Sequence, residues 1–109
     1  MNREESKNWI QKTCGDGWLP LVDAVYDALP KNIQVTSVYQ KWGSLNFDIE
    51  PWSEDFGSYL EEVKEKSLKL CEVCGAKGEE KTTNDWVNTL CENHYAHLIS
   101  QNKPWWKVW

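Results

Sequence analysis

Basic residues are the first shortage. The 109 residues carry 12 Lys and Arg against 17 Asp and Glu, a formal charge of -5. Such a balance leaves no basic face for broad phosphate contact, which argues against nucleic acid as partner. It suits a chain that meets other proteins, basic ones first. Long apolar runs are missing too, so no segment reads as a membrane span. The start, MNREESKNWI, is polar and charged. No secretory leader is expected, and the predicted location is cytoplasmic. Repeats, low-complexity tracts and an obvious linker are all lacking. Gly15-Asp16-Gly17 has neither the lysine nor the glycine spacing of a phosphate loop. No nucleophile system stands out. A Cys14–His97 dyad would need the fold to join its members, and nothing local supports it. These absences predict a protein that is not an enzyme.

What is present is more specific. Cys71, Cys74, Cys91 and His94 form Cys-x2-Cys-x16-Cys-x2-His. A second close pair about 15 to 20 residues after a Cys-x2-Cys pair is a strong zinc signature. Two thiolates two residues apart, on a turn ending in Gly75, reach one ion without strain. Cys91 and His94 are three apart and share a face in the first turn of a helix. Two disulfides in a secreted chain are the alternative use of four cysteines, and the pair spacing and polar start favour metal. His97 is the alternative fourth ligand, but the Cys-x2-His spacing favours His94. Four protein ligands fill a tetrahedral Zn2+ shell and leave no place for water, so the ion is expected to be structural. Glu72 and Glu92 lie beside ligands, yet a catalytic metal would need an open position. Cys14 is left over, and its plainest reading is a small buried hydrophobe.

The periodicity predicts an α+β fold: a small β-hairpin packed with helices, then a C-terminal treble-clef-like zinc finger. Residues 3–13 read as a short helix with Trp9 and Ile10 as its apolar contacts. Cys14-Gly15-Asp16-Gly17 is a turn. Trp18, Val22, Val25 and Leu29 recur at helical spacing behind Pro20, and Pro30 ends the run. The period then changes to two. Ile33, Val35, Ser37 and Tyr39 alternate on one strand and Leu45, Phe47 and Ile49 on the next, with Gly43-Ser44 as the expected two-residue turn. Pro51 ends the hairpin. Ser53 caps a helix whose stripe is Phe56, Tyr59, Leu60, Val63, Ser67 and Leu70, with Glu62–Lys66 and Glu65–Lys69 outside. A knuckle over 71–78, a hairpin over 81–90 around Asn84-Asp85, and a helix over 91–101 follow. The expected organisation is a body over 1–70 and a zinc module with its tail over 71–109, packed as one domain.

Eight Trp in 109 residues is a large excess, and Trp105, Trp106 and Trp109 crowd the end. Packing over the core is the plainest reading of that tail. A partner-binding anchor is the second, since Trp dominates interface energetics. Base stacking with Lys103 and Lys107 is the third. Asp16, Asp23 and Asp27 gather acid charge beside the second helix, which serves solubility or a basic partner.

Three motifs carry a resemblance. Cys14-Gly15-Asp16-Gly17-Trp18-Leu19-Pro20-Leu21-Val22-Asp23 is similar to the N-terminal signature of a family of small uncharacterised proteins of phages, prophages and bacteria. Gln40-Lys41-Trp42-Gly43-Ser44-Leu45-Asn46-Phe47 resembles that family's middle motif of Lys, an aromatic, Gly, Gly, Leu, Arg and an aromatic. Ser67 through Cys74-Gly75, and Trp86 through Cys91 and His94, resemble its zinc-finger end. Ser44 and Asn46 depart from the family's Gly and Arg, and the Trp-rich tail is no part of the pattern. The resemblance implies the element order and the four ligands; it brings no activity. The expected function is therefore a non-enzymatic zinc-containing binding protein that neutralises or modulates a protein partner. A toxin immunity protein or a phage accessory inhibitor is the natural setting. A nucleic-acid-binding finger using Lys77 and Lys81 is the alternative, and a metal-dependent hydrolase ranks last.

Overall fold

The computed structural model describes residues 1–83 and 86–101. It is an α+β fold of four helices and two antiparallel two-stranded sheets. The order is α1 (Arg3–Thr13), α2 (Leu19–Ala28), β1 (Gln34–Lys41), β2 (Ser44–Glu50), α3 (Glu54–Ser67), β3 (Glu79–Thr83), β4 (Trp86–Leu90) and α4 (Glu92–Gln101). No helix among the described residues is long and apolar enough to cross a membrane.

Local chemistry sets the helix starts. Asn2 accepts from the Glu5 N–H while the Glu5 carboxylate accepts from the Asn2 N–H, a complete capping box on α1. Ser53 accepts from the Phe56 N–H and caps α3, as expected. Pro20 sits in the first turn of α2, where its missing N–H costs nothing. Trp18 stands at the N-cap of α2 and is fully buried.

The core joins Ile10 of α1, Trp18, Val22 and Val25 around α2, and Phe56, Leu60 and Val63 of α3 to the first hairpin. Trp9 departs from expectation: it is 46% exposed, and Ile10 is the apolar residue that α1 buries, with Ser6 buried beside it. On β2, Leu45 and Phe47 are buried and Ile49 packs against the core. On β1 the alternation breaks. Val35 pairs with Ile49, but Ser37 pairs with Asp48, so Thr36 is an extra residue. This bulge shifts the period and buries Val38 in place of Ser37 and Tyr39. Those two hydroxyls instead donate to the Asp48 carboxylate at 2.8 and 3.1 Å.

The turn is also displaced by one residue from the predicted Gly43-Ser44. Lys41 pairs with Ser44, so Trp42-Gly43 forms the turn, with φ of 53° and 78°. Two positive φ values match the right-handed twist of the strands, which is why such turns close hairpins. Glycine adopts this geometry freely, whereas tryptophan does so at a cost.

Candidate metal centre

The C-terminal segment has the order knuckle, hairpin, helix. Leu70 bridges to Lys77, and the Cys71 N–H donates to the Ala76 carbonyl at 2.7 Å. The Gly75 N–H donates back to the Cys71 carbonyl at 2.8 Å, with Gly75 at φ 80°. This tight turn presents Cys71 and Cys74. Cys91 follows β4 directly, and its carbonyl accepts from the Tyr95 N–H at 2.9 Å. Cys91 therefore opens α4, and His94 lies in the helix's first turn.

The ligand atoms of Cys71, Cys74, Cys91 and His94 all lie within 4.8 Å of one another. Cys74 Sγ and Cys91 Sγ are 3.8 Å apart, Cys71 Sγ and His94 Nδ1 3.6 Å, and Cys91 Sγ and His94 Nδ1 3.1 Å. A tetrahedral ion with Zn–S of about 2.3 Å and Zn–N of about 2.0 Å spaces sulfurs about 3.8 Å apart and sulfur from nitrogen about 3.5 Å. The donors fit one such ion, and a thiolate-rich set with one imidazole suits zinc. Hydrogen bonding from the His94 backbone N–H, with its ring and the other two thiols, pulls the Cys91 thiol down to about 6. Ionised thiolate is the form that binds metal. The Ala76 N–H acts to lower Cys74, but some desolvation and the thiols of Cys71 and Cys91 leave it above its usual value, although Cys74 is exposed. His94 takes the fourth place; His97 lies exposed on α4, outside the cluster.

The knuckle is seated on the N-terminal turn. The Gly17 N–H donates to the Glu72 carbonyl at 2.9 Å, and the Asp16 N–H to the Val73 carbonyl at 3.2 Å. The Trp18 indole N–H is shared between the Ser67 and Leu70 carbonyls, at 3.2 and 3.0 Å. A Cβ on Gly17 would stand 1.9 Å from the Cys71 carbonyl oxygen. Backbone thus packs directly on backbone. Cys14 lies half-buried against the core, with Thr13 Oγ1 at 3.6 Å from its sulfur. Burial pushes its thiol up to about 11.

A polar seam joins the first hairpin to the knuckle and β4. Gln40 Nε2 lies 3.0 Å from Glu72 Oε2, 2.9 Å from Asn88 Oδ1 and 3.2 Å from the Val87 carbonyl. Its two hydrogens are shared among three acceptors. Glu72 is buried, accepts also from the Thr89 N–H at 3.3 Å, and is raised by desolvation against the pull of both donors. Thr89 Oγ1 donates to the Gly43 carbonyl at 2.6 Å, clasping the first hairpin's turn. The segments beginning at Cys14, Gln40 and Cys71 therefore meet at one seam, which sequence periodicity alone does not reveal.

The other candidates divide. Asp23 and Asp27 face α1. Asp23 pairs with Lys7 at 3.0 Å and Arg3 at 3.4 Å, and Asp27 with Arg3 at 2.6 Å. Asp16 accepts from Gln11 Nε2 at 2.8 Å. These carboxylates stay accessible while bracing the α1–α2 pair. Trp105, Trp106 and Trp109 lie outside the described residues. Lys81 places its ammonium 4.8 Å from the Tyr95 ring centre, within the finger. A feature missed by sequence reasoning is an aromatic face. Trp42 and Trp86 are 69% and 61% exposed and line one hollow, and Trp9 lines the next with Tyr39 and Trp86. The available signal was a tryptophan directly before a turn glycine.

No protein-family model, no curated protein and no solved structure matches this chain.

Proposed function

We propose that the protein is a zinc-stabilised, non-enzymatic binding protein whose partner is another protein. The observation that carries this reading is Trp42. It holds a left-handed backbone at φ 53° while remaining 69% exposed. A bulky residue held there costs about 1 to 2 kcal/mol with little burial in return, and such outliers concentrate at functional sites. Trp42 and its neighbour Trp86 are the kind of side chain that anchors protein interfaces. The closed Cys3His set and the acidic balance support binding over catalysis. Toxin immunity or a phage accessory inhibitor is a setting that suits such a protein, with a basic partner steered by charge. On this reading the ion is Zn2+ and structural.

Three measurements test it. Metal analysis should give one zinc per chain, and Cys71→Ser or chelation should remove the fold with the metal. A folded, metal-free Cys71→Ser protein would overturn the structural role. Wild type should protect against a toxin encoded beside it, or bind a purified host or phage protein, and Trp42→Ala/Trp86→Ala should lose this while keeping its zinc. Equal binding by that variant removes the aromatic face. Tight binding of DNA or RNA in fluorescence anisotropy, with no protein bound, removes the protein-partner reading.

A further inference from the structure

Trp52 lines a different hollow from Trp9, Trp42 and Trp86. It stands just before α3, and its ring lies over Gly57 of that helix. A Cβ on Gly57 would stand 2.6 and 2.7 Å from Cζ2 and Cη2 of the ring. A glycine inside a helix is destabilising relative to alanine. Here the missing Cβ makes room for a ring that stays 69% exposed. Helix stability is lost to seat one aromatic plane at the surface, with little burial gained.

The hollow beside that ring measures about 340 Å³ and lies between the loop from α2 to β1 and the entry to α3. Pro30 and Pro51 wall it, and Asp55 is the charged residue in its lining. Asp16, Asp23, Asp27 and Asp48 are each held by a partner within the chain. The exposed Asp55 carboxylate has no hydrogen bond or ion pair among the described residues. The two segments that form the hollow carry Glu50, Glu54 and Asp55 against Lys31, which is exposed and outside the lining. The local charge therefore calls for a cation.

We propose that this hollow receives an arginine side chain of a basic protein partner, its guanidinium flat on the Trp52 ring and its N–H fork on the Asp55 carboxylate. The proposal rests on the protein-partner reading above for what presents the arginine. The chemistry selects arginine over lysine. A planar guanidinium stacks on an aromatic face and offers a carboxylate two parallel donors at once, whereas an ammonium is a compact point charge. Small-molecule pockets start at about 300 Å³, so a hollow of this size suits one long side chain. The seat on Gly57 holds the ring before the partner arrives, so binding need not order it.

The test uses the zinc-loaded full chain, ¹⁵N-labelled and titrated with the peptide Ac-Gly-Arg-Gly-NH2. The backbone amides of Ser53, Asp55 and Phe56 should shift and saturate in the millimolar range, as one stacked, charge-assisted contact predicts. Asp55→Asn should weaken binding about tenfold, and Trp52→Ala about threefold. Glu61→Gln removes the same charge elsewhere on α3 and should bind as wild type does. Gly57→Ala is the decisive variant, because its fold survives. Its Cβ evicts the ring, so it should bind as weakly as Trp52→Ala while melting no lower than wild type. Wild-type affinity in Asp55→Asn, Trp52→Ala or Gly57→Ala overturns the proposal. So does equal binding of the citrulline peptide, which keeps the shape without the charge, or of the lysine peptide, which keeps the charge without the plane. Trp42→Ala/Trp86→Ala should bind the peptide normally, so the two readings fail separately. No shift with peptide while partner capture persists overturns the arginine site alone. Peptide binding in a protein that captures no partner overturns the partner reading alone.

Discussion

Gly17→Ala should unseat the Cys71–Gly75 knuckle. The new Cβ would lie 1.9 Å from the Cys71 carbonyl oxygen, 2.5 Å from the Gly75 nitrogen and 2.8 Å from the Glu72 carbonyl carbon. All three are backbone atoms, so no rotamer change relieves the contact. The knuckle must retreat by more than about 1 Å for that Cβ to reach an ordinary contact distance. Two backbone hydrogen bonds break, from Gly17 to Glu72 and from Asp16 to Val73. At about 1 kcal/mol each, with about 1 to 3 kcal/mol for overpacking, the loss is about 3 to 5 kcal/mol. For a domain of this size the melting temperature should fall by about 15 to 30 °C. Apparent zinc affinity should fall with it, because metal and seat hold the same knuckle. The control is Gly57→Ala. Its Cβ would meet the Trp52 ring at 2.6 Å, but that ring is the far end of a side chain 69% exposed. The ring swings away, and a helix-interior Gly→Ala change gains about 1 kcal/mol. Calorimetry of both zinc-loaded variants decides. Gly17→Ala melting within about 3 °C of wild type, or Gly57→Ala falling as far as Gly17→Ala, would refute the reasoning.

Gln40→Leu should cost about 2 to 3 kcal/mol in urea unfolding, since the buried Glu72 carboxylate loses its side-chain donor; a loss under about 0.5 kcal/mol would mean the seam is ornamental. Trp42→Asn should stabilise the first hairpin by about 1 kcal/mol, because asparagine tolerates φ 53°, and should weaken partner binding; a drop in stability contradicts the strain argument. Cys14, with its thiol raised from 9.0 to about 11 by burial, stays protonated at pH 8. Iodoacetamide should label it about 100-fold more slowly than an ordinary cysteine there. The rate should keep climbing to about pH 11; a plateau near pH 9 rejects this.

Much of the architecture was legible because the period of apolar residues changes where the structure changes. Val22 and Val25 announce α2, and Leu45 and Phe47 announce the inner face of β2. The cluster of Cys71, Cys74, Cys91 and His94 was legible because coordination demands particular side chains at particular spacings. β1 was misread from Thr36 onward because a bulge shifts the face without changing composition. The turn was misplaced because Gly43 looked like its first residue, when Trp42 takes that strained position. The seam was hidden for a different reason. Gln40, Glu72 and Thr89 are far apart in sequence and ordinary in type, and only the fold makes their hydrogen bonds obligatory. The paired carboxylates Asp23 and Asp27 read as free charge because their partners, Arg3 and Lys7, lie on another helix.

The glycine seat has a consequence for how this chain can vary. When two side chains collide, a smaller residue opposite can rescue a larger one, and the two positions drift together. Gly17 faces the carbonyl of Cys71 and the nitrogen of Gly75, and a Cβ on Gly78 would meet the Cys71 backbone at 2.9 Å. Backbone atoms cannot be trimmed by mutation. Neither site therefore has a second-site suppressor across the contact. A genetic screen starting from Gly17→Ala should return true revertants, or gains of stability elsewhere, and no compensating change in the knuckle.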